Sequence, residues 1–132
     1  MPESFRVRVV TPERELLATE AKLVVFPAFD GEMGILPRRA ALLAQLGAGM
    51  LRIEEAAGGR RTLFVAGGFV QMVDDQLTLL TEEARESTAL TAEEARMSLE
   101  AAAALPTRSA AEQGQRERAL ARALAMGRLA RS

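Results

Sequence analysis

Apolar side chains follow two different rhythms along this chain. From Phe5 to Val9 apolar and polar residues alternate, as in a strand with one face on a core and the other in water. Lys22 to Phe29 is a short, mostly apolar run stopped by Asp30-Gly31, with Gly34 and Pro37 close behind, which predicts a buried strand entering a tight loop. Gly58-Gly59 separates Met50-Leu51-Arg52-Ile53 from Thr62-Leu63-Phe64-Val65 and predicts a hairpin whose two-residue turn sets Ile53 opposite Phe64. A second turn at Asp74-Asp75 sets Met72 opposite Leu77 and Val70 opposite Leu79. Eight to ten short strands with closely spaced turns predict an antiparallel β-sandwich over residues 1–88.

Near residue 88 the rhythm changes. Residues 1–88 contain 31 large apolar side chains (Val, Ile, Leu, Met, Phe), whereas residues 89–132 contain 8 in 44, with 14 alanines beside them. Thr91 followed by Glu94, and Ser109 followed by Glu112, are capping boxes: the hydroxyl accepts from the third helical N–H and the carboxylate returns to the cap. Leu105-Pro106 ends the first helix. The expected elements are helices over 92–104 and 110–129 joined by Pro106-Thr107-Arg108, an antiparallel two-helix hairpin. Its apolar stripe is thin, with Leu99, Leu120 and Leu124 at the centre and Met97, Met126 and Leu129 at the margins. At roughly 1.5 to 3 kcal/mol per fully buried large side chain, that stripe offsets only part of the ordering entropy of the segment. A helical domain over 89–132 that leans on a partner surface and can leave it is the expectation.

The residue types that are missing narrow the chemistry. Cys, His, Trp and Tyr are all absent, which removes Ser/His/Asp and Cys/His nucleophiles, thiolate or imidazole zinc ligands, and the aromatic platforms of sugar sites. No catalytic residue, metal ligand or cofactor site is expected. With 17 basic against 18 acidic residues the net charge is -1, against nucleic acid as a partner. No run approaches the roughly 18 apolar residues of a membrane span, so no direct membrane insertion is expected. Gly47-Ala48-Gly49 reads as a turn, since Arg52 stands where a dinucleotide fingerprint needs its third glycine, and Asp74-Asp75 reads as a solvated turn. The tail from Arg108 to Ser132 carries six arginines against two acids. Of these, Arg118, Arg122 and Arg128 recur near one helical face and suit an acidic protein partner.

The stretch Asp30-Gly31-Glu32-Met33-Gly34-Ile35-Leu36-Pro37, followed by Ala41-Leu42-Leu43, Gly49-Met50-Leu51-Arg52-Ile53 and Ala66-Gly67-Gly68-Phe69-Val70, resembles the epsilon subunit of the F-type ATP synthase. Val9-Val10-Thr11-Pro12-Glu13 and Leu77-Thr78-Leu79-Leu80 fit the same pattern. The likeness is nearly gapless over about residues 5–88 and architectural only over the helical tail. It implies a non-catalytic central-stalk rotor subunit that couples the catalytic head to the membrane c-ring during proton-driven ATP synthesis. Its sandwich would bind the gamma subunit and the polar loops of the c-ring. Its helices would restrain ATP hydrolysis by extending along gamma toward the catalytic beta subunit.

Carried over residue by residue, the resemblance assigns Asp30, Glu32 and Met33 to the c-ring. It places the loop of Arg38, Arg39 and Ala41 at gamma. In the tail, where the likeness is architectural only, the recurring Arg118, Arg122 and Arg128 are the side chains expected at the inhibitory contact. Two departures stand out. The family's Pro-x-His-x-Pro loop has Arg39 and Ala41 here in place of His and the second Pro. The nucleotide motif of some members aligns with Leu90-Thr91-Ala92-Glu93-Glu94-Ala95, where Thr91 replaces Asp and Glu94 replaces Arg, so no ATP-binding residues are assigned. The resemblance, and the lack of an Arg- and Ser-rich leader, lead to an expected location at the cytoplasmic side of a bacterial inner membrane, as a peripheral protein. The other reading is a freestanding β-sandwich adaptor, or a diverged paralogue, that binds another protein.

Overall fold

In the computed structural model, which describes residues 3–130, seven strands precede two helices. The strands are β1 (Phe5–Val10), β2 (Glu15–Ala28), β3 (Gly31–Ile35), β4 (Leu42–Gln45), β5 (Ala48–Glu55), β6 (Arg60–Val73) and β7 (Gln76–Glu86). After a single 3-10 turn, Ser87–Ala89, come α1 (Ala92–Ala103) and α2 (Ala110–Ala130). Two compact units result, one running to Arg85 and the other starting at Glu86.

The first unit has seven strands rather than eight to ten because β2 and β6, each 14 residues long, serve two layers apiece. The first half of β2 pairs with β1, and its second half pairs with β5 and β3. The first half of β6 pairs with β5 and its second half with β4, and β7 lies on its other side. β2 shifts register between Ala21 and Leu23, and β6 exchanges β5 for β4 across Gly67-Gly68, two glycines with positive φ. The sandwich is antiparallel except for β1 and β7, which pair in parallel. Between the layers Phe5, Val7, Val9, Val24, Phe26, Ile35, Leu51, Ile53, Leu63, Val65, Val70, Met72, Leu77 and Leu79 are buried.

One hairpin register departs from the expectation. Ile53 faces Arg61, not Phe64, and Leu51 faces Leu63. The turn is longer than two residues: Glu55 N–H donates to Gly59 O at 2.7 Å and Gly58 N–H to Glu55 O at 2.9 Å, with Gly58 at positive φ. The register therefore slips by an odd number of positions, which moves Phe64 to the opposite face, across from Met50. At Asp74-Asp75 both residues have positive φ, as a two-residue hairpin turn demands, and Met72, Leu77, Val70 and Leu79 are all buried. Of Gly47-Ala48-Gly49 only Gly47 lies outside a strand, next to Leu46, while Ala48 and Gly49 belong to β5.

The helices begin where the caps predict. Thr91 Oγ1 accepts from Glu94 N–H and Ser109 Oγ from Glu112 N–H, each at 3.1 Å. The Glu112 carboxylate reaches one residue beyond the cap, accepting from Arg108 N–H at 2.9 Å. The buried positions differ from the expected leucine stripe: Ala95 and Ala102 in α1, and Ala123, Ala125, Met126 and Leu129 in α2, are buried, whereas Leu99 and Leu124 are exposed. Alanines let two helices approach closely, and leucines flanking the contact are then left at its rim.

Candidate functional site

The β2–β3 hairpin turns through Phe29-Asp30, with Ala28 paired to Gly31, Pro27 to Glu32 and Phe26 to Met33. Strand alternation then separates the three residues assigned to this turn. Asp30 and Glu32 are exposed, while Met33 is half-buried and packs against the core. Phe29, read from the sequence as the end of a buried run, is 74% exposed at the apex of the turn. Its position beside Asp30-Gly31 was the available signal, since the first residue of a two-residue turn leaves the sheet.

The second cluster lies at the other end of β3. Arg38, Arg39 and Ala41 are exposed on the loop that leads to β4. Arg38 has φ 64, in the left-handed region that is costly for a side chain with a Cβ. Its N–H donates to Asp75 Oδ1 at 2.7 Å, and its guanidinium Nη2 lies 2.8 Å from Glu3 Oε1. Asp75 also accepts from Arg6 N–H through its backbone carbonyl at 3.0 Å. It ties the Arg38 loop and the start of β1 to the β6–β7 turn, a role beyond that of a solvated turn. A partner 37 residues away in sequence leaves no local trace from which it could have been read.

In α2, Arg118 and Arg122 are one turn apart and share a face, about 40° from each other at about 100° per residue. Arg128 lies about 120° from Arg122 around the axis, so the structure does not bring all three onto one stripe. Arg118 and Arg128 are exposed and Arg122 is half-buried. Ala92, Ala95, Arg96, Leu99, Ala123, Leu124 and Gly127 line an open groove of about 270 Å³ between the helices. Its one cation is committed: Arg96 is bonded to Glu93 and, at 2.6 Å through Nη1, to Glu100. These carboxylates raise the guanidinium pKa further above its ordinary value, Glu93 contributing most. Among the described residues no three acidic side chains gather as a metal site requires.

The beta-sandwich domain model of the ATP synthase delta/epsilon chain matches residues 4–87. The ATP synthase epsilon chain of Rhodospirillum rubrum is 35% identical over 130 residues, covering 98% of this chain and 97% of that one. The chain belongs to the ATP synthase epsilon chain family. The epsilon chain of Rhodopirellula baltica is 43% identical over 112 residues, covering 85% of this chain and 86% of its own. The fold recurs in a chain of the Euglena gracilis mitochondrial ATP synthase, OSCP/F1/c-ring, with a TM-score of 0.81 at 23% identity, over 96% of this chain and 81% of that one. It recurs again in the Tetrahymena thermophila mitochondrial ATP synthase central stalk/c-ring, with a TM-score of 0.77 at 14% identity and 95% coverage of both chains. An epsilon chain is a non-catalytic subunit, in keeping with a sequence that lacks His, Cys and Tyr.

Proposed function

We propose that this central-stalk subunit couples the catalytic head to the membrane c-ring through two separate ends of its sandwich. The Asp30–Glu32 turn faces polar loops of the c-ring, the Arg38–Ala41 loop faces gamma, and the helical unit restrains ATP hydrolysis at the catalytic beta subunit. The observation that carries the assignment is the family match over nearly the whole chain, joined to an exposed acidic turn at one end of β3 and an exposed arginine loop at the other. At the ring surface Phe29 supplies the apolar contact, since Met33 is turned toward the core. Among the described residues no helix is long and apolar enough to cross a membrane. The subunit is peripheral to the membrane-bound complex, and a bacterial inner membrane with the sandwich on its cytoplasmic side is the proposed setting. Nucleic acid has no part in this reading.

Exposed ion pairs are individually worth about 0 to 1 kcal/mol, so Glu32→Gln alone is expected to weaken coupling only modestly. Reversing both charges, Asp30→Lys with Glu32→Lys, should cut proton-driven ATP synthesis severalfold in reconstituted vesicles while leaving gamma bound. Wild-type coupling by that double variant would remove the turn from the ring interface.

Nucleotide is not expected to be a ligand of the hairpin. The groove is apolar, its Arg96 is neutralised by two carboxylates, and Glu94 holds the motif position where some members have arginine. Titration calorimetry should give no saturable ATP isotherm below about 1 mM, or about -4 kcal/mol. A micromolar isotherm would show a site built from other residues.

A further inference from the structure

Segments far apart in the chain meet at one end of the sandwich. The β6–β7 turn contributes Asp75, whose backbone carbonyl accepts from Arg6 N–H at 3.0 Å and whose Oδ1 accepts from Arg38 N–H at 2.7 Å. Glu3, ahead of β1, contributes a carboxylate oxygen that lies 2.8 Å from Arg38 Nη2. The β3–β4 loop contributes Arg38 itself, which both acids hold. Arg39 is exposed beside it and has no ion pair among the described residues.

The backbone at Arg38 explains why it has to be held. Pro37 and Arg38 are the central residues of a turn, and Arg38 has φ 64. Proline followed by a residue of positive φ is the pattern of a type II turn, whose third position normally takes glycine or asparagine because other side chains clash there. An arginine left to itself would favour another backbone shape by roughly 5- to 30-fold. Residues in such conformations persist where their surroundings over-determine them. The exposed Arg38–Glu3 pair supplies little of that constraint, since water screens it and both side chains are long. The Asp75 bond acts on the strained residue's own N–H and is short for an N–H donor. Its carboxylate also stands on a rigid base, a two-residue turn with Asp74 at φ 50 and Asp75 at φ 58, pinned to β1 through Arg6.

We propose that Asp75 is a positioning residue for the partner-facing loop: its carboxylate latches Arg38 in the left-handed conformation and so fixes the direction in which Arg39 and Ala41 leave the turn. The proposal rests on the reading above in which this loop faces gamma, and it separates two roles within the loop. Arg38 is the latched residue, with its N–H bound to Asp75 and its guanidinium turned to Glu3. Arg39 is the cation left to meet an acceptor on gamma. Without the latch the loop relaxes, its binding-competent shape becomes a minority, and the apparent affinity falls by that fraction.

Glycine substitutions separate the latch from the fold. Asp75→Gly removes the carboxylate while suiting the positive φ of its own turn, so the hairpin stays closed, and Asp75→Asn keeps an oxygen acceptor. Arg38→Gly adopts φ 64 without steric cost and no longer needs the latch. In full-length chains Asp75→Gly should weaken binding of purified gamma about 5- to 30-fold and speed hydrogen exchange at Arg38 N–H about tenfold. Asp75→Asn should match the wild type on both. Arg38→Gly should bind within about threefold of wild type, and adding it to Asp75→Gly should restore binding to that level. The compensation is decisive, because a chain weakened by general loss of stability is not repaired by a second truncation. Wild-type gamma binding by Asp75→Gly, or a loss that Arg38→Gly only deepens, would overturn the proposal. So would a loss from Arg38→Gly alone as large as that from Asp75→Gly, which would make the Arg38 guanidinium the contact. Failure of the wild type to bind gamma would instead overturn the assignment of this loop, and the proposal with it, leaving Asp75 a structural brace.

Discussion

Removing residues 89–132 is expected to raise ATP hydrolysis by the assembled synthase severalfold while the sandwich still folds and assembles. The truncation point follows β7, which ends at Glu86, so every strand and the whole buried sandwich core remain. The helical unit buries few large side chains of its own. Its buried positions are mainly alanine, with Met126, Leu129 and Leu90 the large side chains among them, and the one-turn pair Leu120 and Leu124 contributes half-buried or exposed surface. Modest differential affinity can therefore decide which position the helices occupy. On the proposed reading Arg118 and Arg122 supply that difference toward an acidic surface of the catalytic beta subunit. Two or three such pairs sum to roughly 1–2 kcal/mol, a factor of about 5–30 in population. Replacing Arg118, Arg122 and Arg128 with Gln should reproduce most of the rise. Because Arg128 points elsewhere on the helix, Arg118→Gln with Arg122→Gln should account for the larger share. Added salt should relieve the wild-type restraint in the same direction. Steady-state ATPase assays on the purified complexes read all of this, and unchanged hydrolysis in the truncated complex would leave the helices a structural brace.

Substituting Gly68 by alanine should destabilise the sandwich by roughly 3 kcal/mol or more, lowering its melting temperature by at least about 12 °C. A Cβ at this position would stand 1.9 Å from Leu80 O and 2.8 Å from Thr81 Cα, at φ +113, so both the space and the backbone conformation are closed to it. The backbone cannot retreat, because β6 changes layers here and the bend is fixed from the other side. Thr81, a buried polar residue, lies with its hydroxyl 2.8 Å from Gly67 O and 2.9 Å from Glu83 O, and it accepts Glu83 N–H at 3.3 Å. Gly67→Ala should cost less, since its nearest obstacle is the mobile Glu82 carboxylate at 3.0 Å, although φ +76 still disfavours it. Thermal unfolding followed by circular dichroism separates the two variants. A Gly68→Ala melting temperature within about 2 °C of wild type would mean that the bend tolerates a side chain.

Local pattern carried much of this protein's architecture. Alternation over Phe5–Val9 gave β1 its buried and exposed faces, the two aspartates at 74 and 75 set a two-residue turn, and the hydroxyls of Thr91 and Ser109 started both helices. Each of these depends on contacts within a few residues, which is the range over which a sequence can be read directly. The lack of His, Cys and Tyr likewise excluded most catalytic chemistry without any structure.

Longer-range features were settled by tertiary packing. The 14-residue lengths of β2 and β6 depend on strands that arrive from elsewhere to pair with each half, so their continuity has no local signature. The β5–β6 register turned on whether two residues or more closed the hairpin. Only the pairing of Leu51 with Leu63, which keeps both side chains in the core, selects the longer loop. Asp75 became a brace for Arg38 because the fold brings residues 37 apart to 2.7 Å. Sequence determines what each residue can bury or bond, whereas which residues share a surface follows from closure of the sheet.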